Sequence, residues 1–166
     1  MKEISVKHIT KFLLLVTLAC SLLLCSCSLL PEKEKSFTAE GMSITLTNRF
    51  RKNDQDGFTV VYDSSKVAVF ALKEAFTAQY GKDTALEEYA ELVIEANSMK
   101  DIEIKTENGL TYFIYENEAD GKSFSYLATV HKADDAFWLI QLATETENFA
   151  DMQDTLMTYA KSIKLD

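Results

Sequence analysis

The hydrophobic pattern changes several times along the chain, and each change predicts a different kind of element. Residues 12–24 form one uncharged, mostly apolar run. From residue 37 apolar and polar residues alternate, which is typical of half-buried strands. Apolar residues recur every three or four positions over 84–98, alternate again over 101–144, and return to helical spacing over 147–161. This order predicts an apolar leader, strands, a helix, more strands and a final helix.

The first strands are separated by short polar turns. Two stretches, 37–46 and 58–72, are rich in β-branched and aromatic residues. The second of them predicts a hairpin with strands near 58–62 and 66–72. Turn-forming residues divide the two stretches at Glu40-Gly41, Asp56-Gly57 and Asp63-Ser64-Ser65.

The first helix has a recognisable start. Thr84 and Glu87 have the spacing of a capping box, in which two side chains satisfy backbone N–H groups at the beginning of a helix. We therefore expect a helix from this point to about Ser98. Its apolar face consists of Leu86, Tyr89, Val93 and Ala96.

The second half of the chain predicts an antiparallel meander and a covering helix. Four strands between 101 and 144 are joined by turns at Asn108-Gly109, Asp120-Gly121 and Ala133-Asp134-Asp135. These strands carry apolar residues on both faces, so both faces must be covered. The last helix, Glu147 to Lys161, has Thr144 and Glu147 at capping-box spacing. The pattern therefore predicts an α+β fold, with an antiparallel sheet between two helices.

The N-terminal run has the order of a bacterial lipoprotein signal peptide. A basic region, 1–11, precedes the apolar run, and small or sulfur-containing residues follow it. Leu24-Cys25-Ser26-Cys27 resembles a lipobox, with Cys at −2 as a departure from the pattern. We expect cleavage after residue 26, lipidation at Cys27, a tether over 27–36 and a globular domain over 37–166. A diacylated cysteine anchors a protein stably to a membrane.

Three alternatives stay open at this end of the chain. Cys20 would leave a very short apolar region after cleavage, and Cys25 has Leu at the preceding position. Alternatively, residues 12–30 could be retained as a transmembrane helix, because an uncharged helix of about 28 Å can cross a bilayer core.

Charge and cysteine content restrict the function of the remaining domain. The 166 residues include 17 basic and 26 acidic ones, of which 3 and 1 lie in the leader, so the rest carries 14 against 25, a net charge of −11. Such a surface repels phosphate backbones, which excludes nucleic acid as a partner. All three cysteines belong to the leader region, so the domain has no disulfide and no thiol nucleophile.

Candidate catalytic residues are few. His131 is the one histidine after the leader, and its place at a strand end predicts a surface residue. No glycine-rich phosphate loop or nucleophile motif is present. The sequence therefore assigns no catalytic residue, no cofactor and no metal, and the protein is not expected to be an enzyme.

Two further motifs have a stronger structural interpretation than a functional one. Residues 52–57 partly match a calcium loop, but Lys52 occupies the first ligand position, so a solvated turn is expected. Trp138 lies in a dense apolar strand and is expected in the core rather than in a ligand site. The tyrosines Tyr112, Tyr115 and Tyr126 lie on neighbouring predicted strands and could form a cross-strand cluster.

Several segments together resemble a known family. They are Gly41-Met42-Ser43-Ile44-Thr45-Leu46, Val67-Ala68-Val69-Phe70-Ala71-Leu72-Lys73-Glu74, Leu86-Glu87-Glu88-Tyr89-Ala90, Asn108-Gly109-Leu110-Thr111-Tyr112-Phe113, Tyr126-Leu127-Ala128, Ala136-Phe137-Trp138-Leu139 and Ala160-Lys161-Ser162-Ile163-Lys164. In these segments the chain resembles the PsbP-like superfamily, particularly PsbP-related lipoproteins of Gram-positive bacteria. The resemblance covers about residues 37–166 and implies an α/β/α sandwich with a central antiparallel sheet covered by helices.

The resemblance implies a noncatalytic binding module. Relatives in this superfamily include an extrinsic photosystem II subunit and a Ran-binding nuclear protein. Their roles do not transfer to this chain, because it has no matching functional motif. We expect a lipoprotein on the extracytoplasmic face of a bacterial cell membrane, with an unidentified envelope protein as partner and no assigned ligand-binding residues. The alternatives are a hydrolase that uses carboxylates and a carrier of small ligands or metal at the cell surface.

Overall fold

The computed structural model of the chain describes residues 32–166. Over this range the elements are β1 (Glu34–Ala39), β2 (Met42–Thr47), β3 (Arg51–Asn53), β4 (Val60–Asp63), β5 (Ala68–Ala75), α1 (Leu86–Ala96), β6 (Lys105–Glu107), β7 (Leu110–Ala119), β8 (Lys122–Lys132), β9 (Ala136–Glu145), a 3-10 turn (Thr146–Asn148), α2 (Phe149–Lys161) and β10 (Lys164–Leu165). The predicted signal peptide and lipidation site lie outside the described residues.

The strands form two antiparallel sheets. Seven of them pair in the order β3-β4-β5-β9-β8-β7-β6, and the long strands β5, β7, β8 and β9 make up its centre. The other three form a small sheet in the order β1-β2-β10. The predicted meander is therefore confirmed, whereas the separation of the first two strands into a sheet of their own was not predicted.

The tight turns follow from the residues that occupy them. In the β6–β7 turn Asn108 and Gly109 have φ values of 53° and 79°, and in the β7–β8 turn Asp120 and Gly121 have 52° and 76°. Two successive residues at positive φ make the type I′ turn, whose twist matches that of a hairpin, and Asn-Gly and Asp-Gly are its preferred sequences. These turns fix the register of the central strands.

The large sheet is buried on both faces. One face, the α2 face, packs against α2 and the small sheet, and its core includes Ile44, Leu127, Trp138, Ile140 and Leu156. The other, the α1 face, packs against α1, and its core includes Tyr89, Val93, Phe124, Phe137 and Leu139. The predicted α+β sandwich, with a central antiparallel sheet between helices, is confirmed.

Neither helix begins with the predicted capping box. The α1 N-cap is Ala85 and the α2 N-cap is Asn148, and neither has a side-chain capping bond. Thr84 Oγ1 instead accepts a hydrogen bond from the Gly81 N–H at 3.0 Å, and Thr144 Oγ1 donates to the Lys66 carbonyl at 2.9 Å. Both predictions were wrong because each threonine is committed to a neighbouring loop. In residues 32–166 neither helix combines the length and hydrophobicity needed to cross a bilayer.

Candidate functional site

Charged and aromatic side chains come together at one end of the large sheet, where β5 ends and β8 turns into β9. Phe137 of β9 lies directly between Glu74 of β5 and Lys132 of β8 in the strand register. Direct partners in an antiparallel sheet lie on the same face, so this row belongs to the α1 face. An acid and a base therefore flank a fully buried aromatic ring.

The ring of Phe137 is the centre of an aromatic cluster, which consists of Phe76, Tyr80, Tyr89 and Phe137. Tyr89 stacks on Phe137 with centroids 4.2 Å apart and planes at 9°. Tyr80 and Phe76 meet Phe137 edge-on, at 6.0 and 5.3 Å. Edge-on and stacked contacts of this kind stabilise the packing beyond the burial of apolar area.

Glu74 fixes the orientation of the stacked tyrosine. The Tyr89 hydroxyl donates a hydrogen bond to Oε2 of Glu74. Burial, followed by the negative charge of Glu74, raises the pKa of Tyr89 far above its ordinary value. The phenol therefore stays protonated and continues to donate, which excludes it as a base at physiological pH.

Lys132 connects the cluster to the loop that covers it. Its ammonium lies 5.2 Å from the centroid of the Phe137 ring, within cation–π range. The same nitrogen donates to the backbone carbonyls of Lys82 and, at 2.7 Å, of Thr84. We call residues 76–84 the covering loop, because Phe76 and Tyr80 of this segment lie on Phe137.

On the opposite face of the same sheet end, two polar side chains flank a buried tryptophan. Trp138 lies between Lys73 and His131 in the strand register and is 1% exposed, so its predicted place in the core is confirmed. Lys73 is 6.0 Å from the indole ring and forms an ion pair with Asp135 at 3.0 Å.

His131 lies near the surface, as its position in the sequence predicts, but much of its side chain is covered. Its side chain is only partly exposed, and Nε2 lies 3.0 Å from Thr129 Oγ1. Burial lowers the pKa of His131 from 6.5 to about 4, so the imidazole is neutral at physiological pH. The sequence did not predict this partial burial, because a position near a strand end does not reveal which neighbouring strands cover the side chain.

The shifted pKa of His131 predicts a specific pH dependence of stability. Between pH 6.5 and about 4 the unfolded chain binds a proton that the folded chain does not. The contribution of the neutral His131 imidazole to the free energy of unfolding is complete above pH 6.5 and decreases as the pH falls toward 4. For a partly exposed group we expect a loss of about 1–3 kcal/mol. His131→Gln should remove that part of the dependence, as measured by urea unfolding of both proteins at pH 4.5 and 7.5. Identical pH dependence in the two proteins would contradict this account.

The predicted tyrosine cluster exists in part. Tyr115 and Tyr126 are direct cross-strand partners, stacked at 4.7 Å with planes at 5°. The Tyr115 hydroxyl donates to Oε1 of the buried Gln141, and burial raises the pKa of Tyr115 well above its ordinary value. Tyr112 belongs to the core of the α2 face and is not part of this pair.

The calcium-like segment lies at the end of β3 and in the following turn. The acidic residues Asp54 and Asp56 are exposed there. Within residues 32–166 no group of three or more His, Asp and Glu side chains is arranged to hold a metal ion.

Sequence reasoning missed the Glu74–Phe137–Lys132 row and the covering loop. The row depends on the register of three strands, and two of them are separated by more than sixty residues of chain. The alternation along β8 could have placed Lys132 on the α1 face. Lys132 continues the series of alternate residues Phe124, Tyr126, Ala128 and Val130.

Comparison with known proteins places this architecture in a fold group. No family model matches the chain, and no curated protein matches it in sequence. Among solved structures, the PsbP protein of the cyanobacterium Synechocystis sp. PCC 6803, known as CyanoP, aligns over 86% of this chain and 99% of its own, with a TM-score of 0.53 and 16% identity. The chain has a PsbP-like fold. The fold implied by the sequence resemblance is thus confirmed.

Two further solved structures are similar to this PsbP-like domain. A protein from Bacteroides thetaiotaomicron aligns over 80% of this chain but 48% of its own length, with a TM-score of 0.57 and 10% identity. LpqN, a protein involved in cell envelope biogenesis of Mycobacterium tuberculosis, aligns over 81% of this chain and 91% of its own, with a TM-score of 0.45 and 9% identity. At these identities the comparison concerns the fold, and function has to be argued from the residues of this chain.

Proposed function

We propose that the protein is a lipid-anchored, extracytoplasmic lipoprotein whose PsbP-like domain is a nonenzymatic binding module of the cell envelope. The anchor is supported by the order of basic, apolar and small residues before Cys27 and by a domain without cysteine. An exported domain that needs no thiol can fold and persist outside the cytoplasm without disulfides.

The proposal of a nonenzymatic role is supported by the side chains of the described site that could act as acid or base, because each of them is engaged in a contact within the domain. His131 is neutral and contacts Thr129, and Glu74 accepts the hydroxyl of Tyr89. Lys132 is bound to backbone carbonyls of the covering loop. These groups stabilise contacts within the domain, whereas a general acid or base has to reach a substrate with a pKa suited to proton transfer.

Binding to a protein partner in the membrane is tested directly by crosslinking. The full-length protein is crosslinked in native membranes, purified under denaturing conditions and analysed for attached proteins. We expect a partner in roughly constant ratio to the bait. Recovery of no partner, together with turnover in a broad substrate screen, would contradict the proposal.

A further inference from the structure

The domain already contains one bound ammonium group, and it belongs to the chain itself. Lys132 Nζ donates to two backbone carbonyls, those of Lys82 and Thr84, and lies above the face of Phe137. Two carbonyl acceptors and an aromatic face are the contacts that a protein uses to bind a primary ammonium ion. The geometry is therefore that of a ligand site with an internal occupant.

The covering loop depends on this occupant. Most of the other hydrogen bonds of the loop are local, such as Thr77 N–H to the Tyr80 carbonyl at 2.8 Å and Thr84 N–H to the Gly81 carbonyl at 3.1 Å. A bond from the Phe76 N–H to the Asp135 carbonyl, at 3.2 Å, holds the beginning of the loop. Further along, Lys132 provides the hydrogen bonds that connect the loop to the sheet.

The carbonyl side of the site lies near the surface. Lys132 is partly exposed, and the loop that supplies the two carbonyls lies at the surface. Residues 32–166 carry 14 basic and 25 acidic side chains, a net charge of −11, which attracts cationic partners and increases their rate of association. Lysine is the protein side chain that ends in a primary ammonium.

We propose that the Phe137 ring and the carbonyls of Lys82 and Thr84 form a binding site for a primary ammonium group, which Lys132 fills until a lysine of a cationic protein partner replaces it. This inference rests on the proposed function as a binding module and defines the chemistry of its partner. Lys132 then acts as an internal competitor, which lowers the affinity for any external lysine by the fraction of time that it occupies the site.

The site is tested first by removing its occupant. Lys132→Ala removes three methylenes and the ammonium, which together correspond to n-propylammonium. In the full-length protein in detergent, we expect hydrogen exchange of the backbone amides in residues 77–84 to become about tenfold faster or more, because charge-assisted hydrogen bonds are lost. Millimolar n-propylammonium should restore the slower exchange. The uncharged N-propylacetamide should not.

Two further variants keep this test specific. Lys132→Met retains the aliphatic stem, so it separates loss of the ammonium from loss of packing and should show the same faster exchange. Lys122→Ala removes a lysine from the other end of β8, where it pairs with Glu145, and its covering loop should exchange as in the wild type. Unchanged exchange in both Lys132 variants would overturn the proposal. The proposal would also be overturned if n-propylammonium did not slow the exchange of the covering loop in Lys132→Ala. An equal slowing of exchange in Lys122→Ala would overturn it as well.

Replacement by an external lysine is tested with the peptide acetyl-Gly-Lys-Gly-amide. It should bind Lys132→Ala at least about tenfold more tightly than the wild type, because no internal ammonium competes. The same peptide with an acetylated lysine should bind neither protein. Equal affinity for both proteins would overturn the competition. These outcomes are independent of partner capture from membranes, so a failed crosslinking experiment and a failed ammonium site can be distinguished.

Discussion

Cys27→Ser should abolish acylation and leave residues 1–26 attached to the protein. The side-chain sulfur is the atom that receives the lipid, and the same residue would become the new N-terminus. One substitution therefore prevents both the acylation and the cleavage of residues 1–26. The wild-type protein should incorporate labelled palmitate and begin at a modified Cys27, as measured by intact-protein mass spectrometry. With the thiol replaced by a hydroxyl, we expect loss of essentially all of the label.

The two neighbouring cysteines are matched controls for this experiment. Cys25→Ser and Cys20→Ser remove a thiol from the same leader and should leave label and processing at Cys27 intact. If instead Cys25→Ser or Cys20→Ser removes the label, the acylated residue has been misassigned. A wild-type protein with an intact Met1 terminus and no fatty acid would support a retained transmembrane helix and contradict the lipid anchor.

Trp138→Ala should strongly destabilise the folded domain. The indole is 1% exposed on a central strand of the large sheet. Truncation removes its buried area and leaves a cavity, which costs about 3–5 kcal/mol. For a domain of this size we expect the melting temperature to decrease by about 10 °C or more. Circular dichroism is the appropriate measurement, because this substitution removes the one tryptophan of the chain.

Trp138→Phe is the control for the chemistry of the ring. It keeps an aromatic side chain in the same place and should cost about half as much or less, because the residual cavity is smaller. Unchanged stability in Trp138→Ala would mean that the indole contributes little to the core, and would favour its role as a ligand platform.

The sequence was sufficient for the architecture because each local signal had a single structural solution. Asn108-Gly109 and Asp120-Gly121 can form type I′ turns at little cost, and the alternation in β8 placed Tyr126 and Leu127 on opposite faces. The predictions of the helix caps were wrong for the opposite reason. A threonine hydroxyl can bond to many backbone groups, and Thr84 found one within its own loop.

Only some side-chain environments depended on information that the sequence does not contain. Tyr112 could have been separated from Tyr115, because residues three apart on a strand point to opposite faces. The partial burial of His131 could not have been predicted, since it depends on the strand register, in which His131 is paired with Trp138. The contact of Lys132 with the Thr84 carbonyl likewise joins groups nearly fifty residues apart.

The early start of the first strand limits the distance between the folded domain and its anchor. β1 begins at Glu34, seven residues after Cys27 (34 − 27), and seven fully extended residues span at most about 25 Å. If Cys27 is acylated, the domain is confined to a thin layer above the lipid headgroups. A partner embedded in the same membrane would then meet it at an effective concentration high enough for a contact that is weak in dilute solution to be substantially occupied.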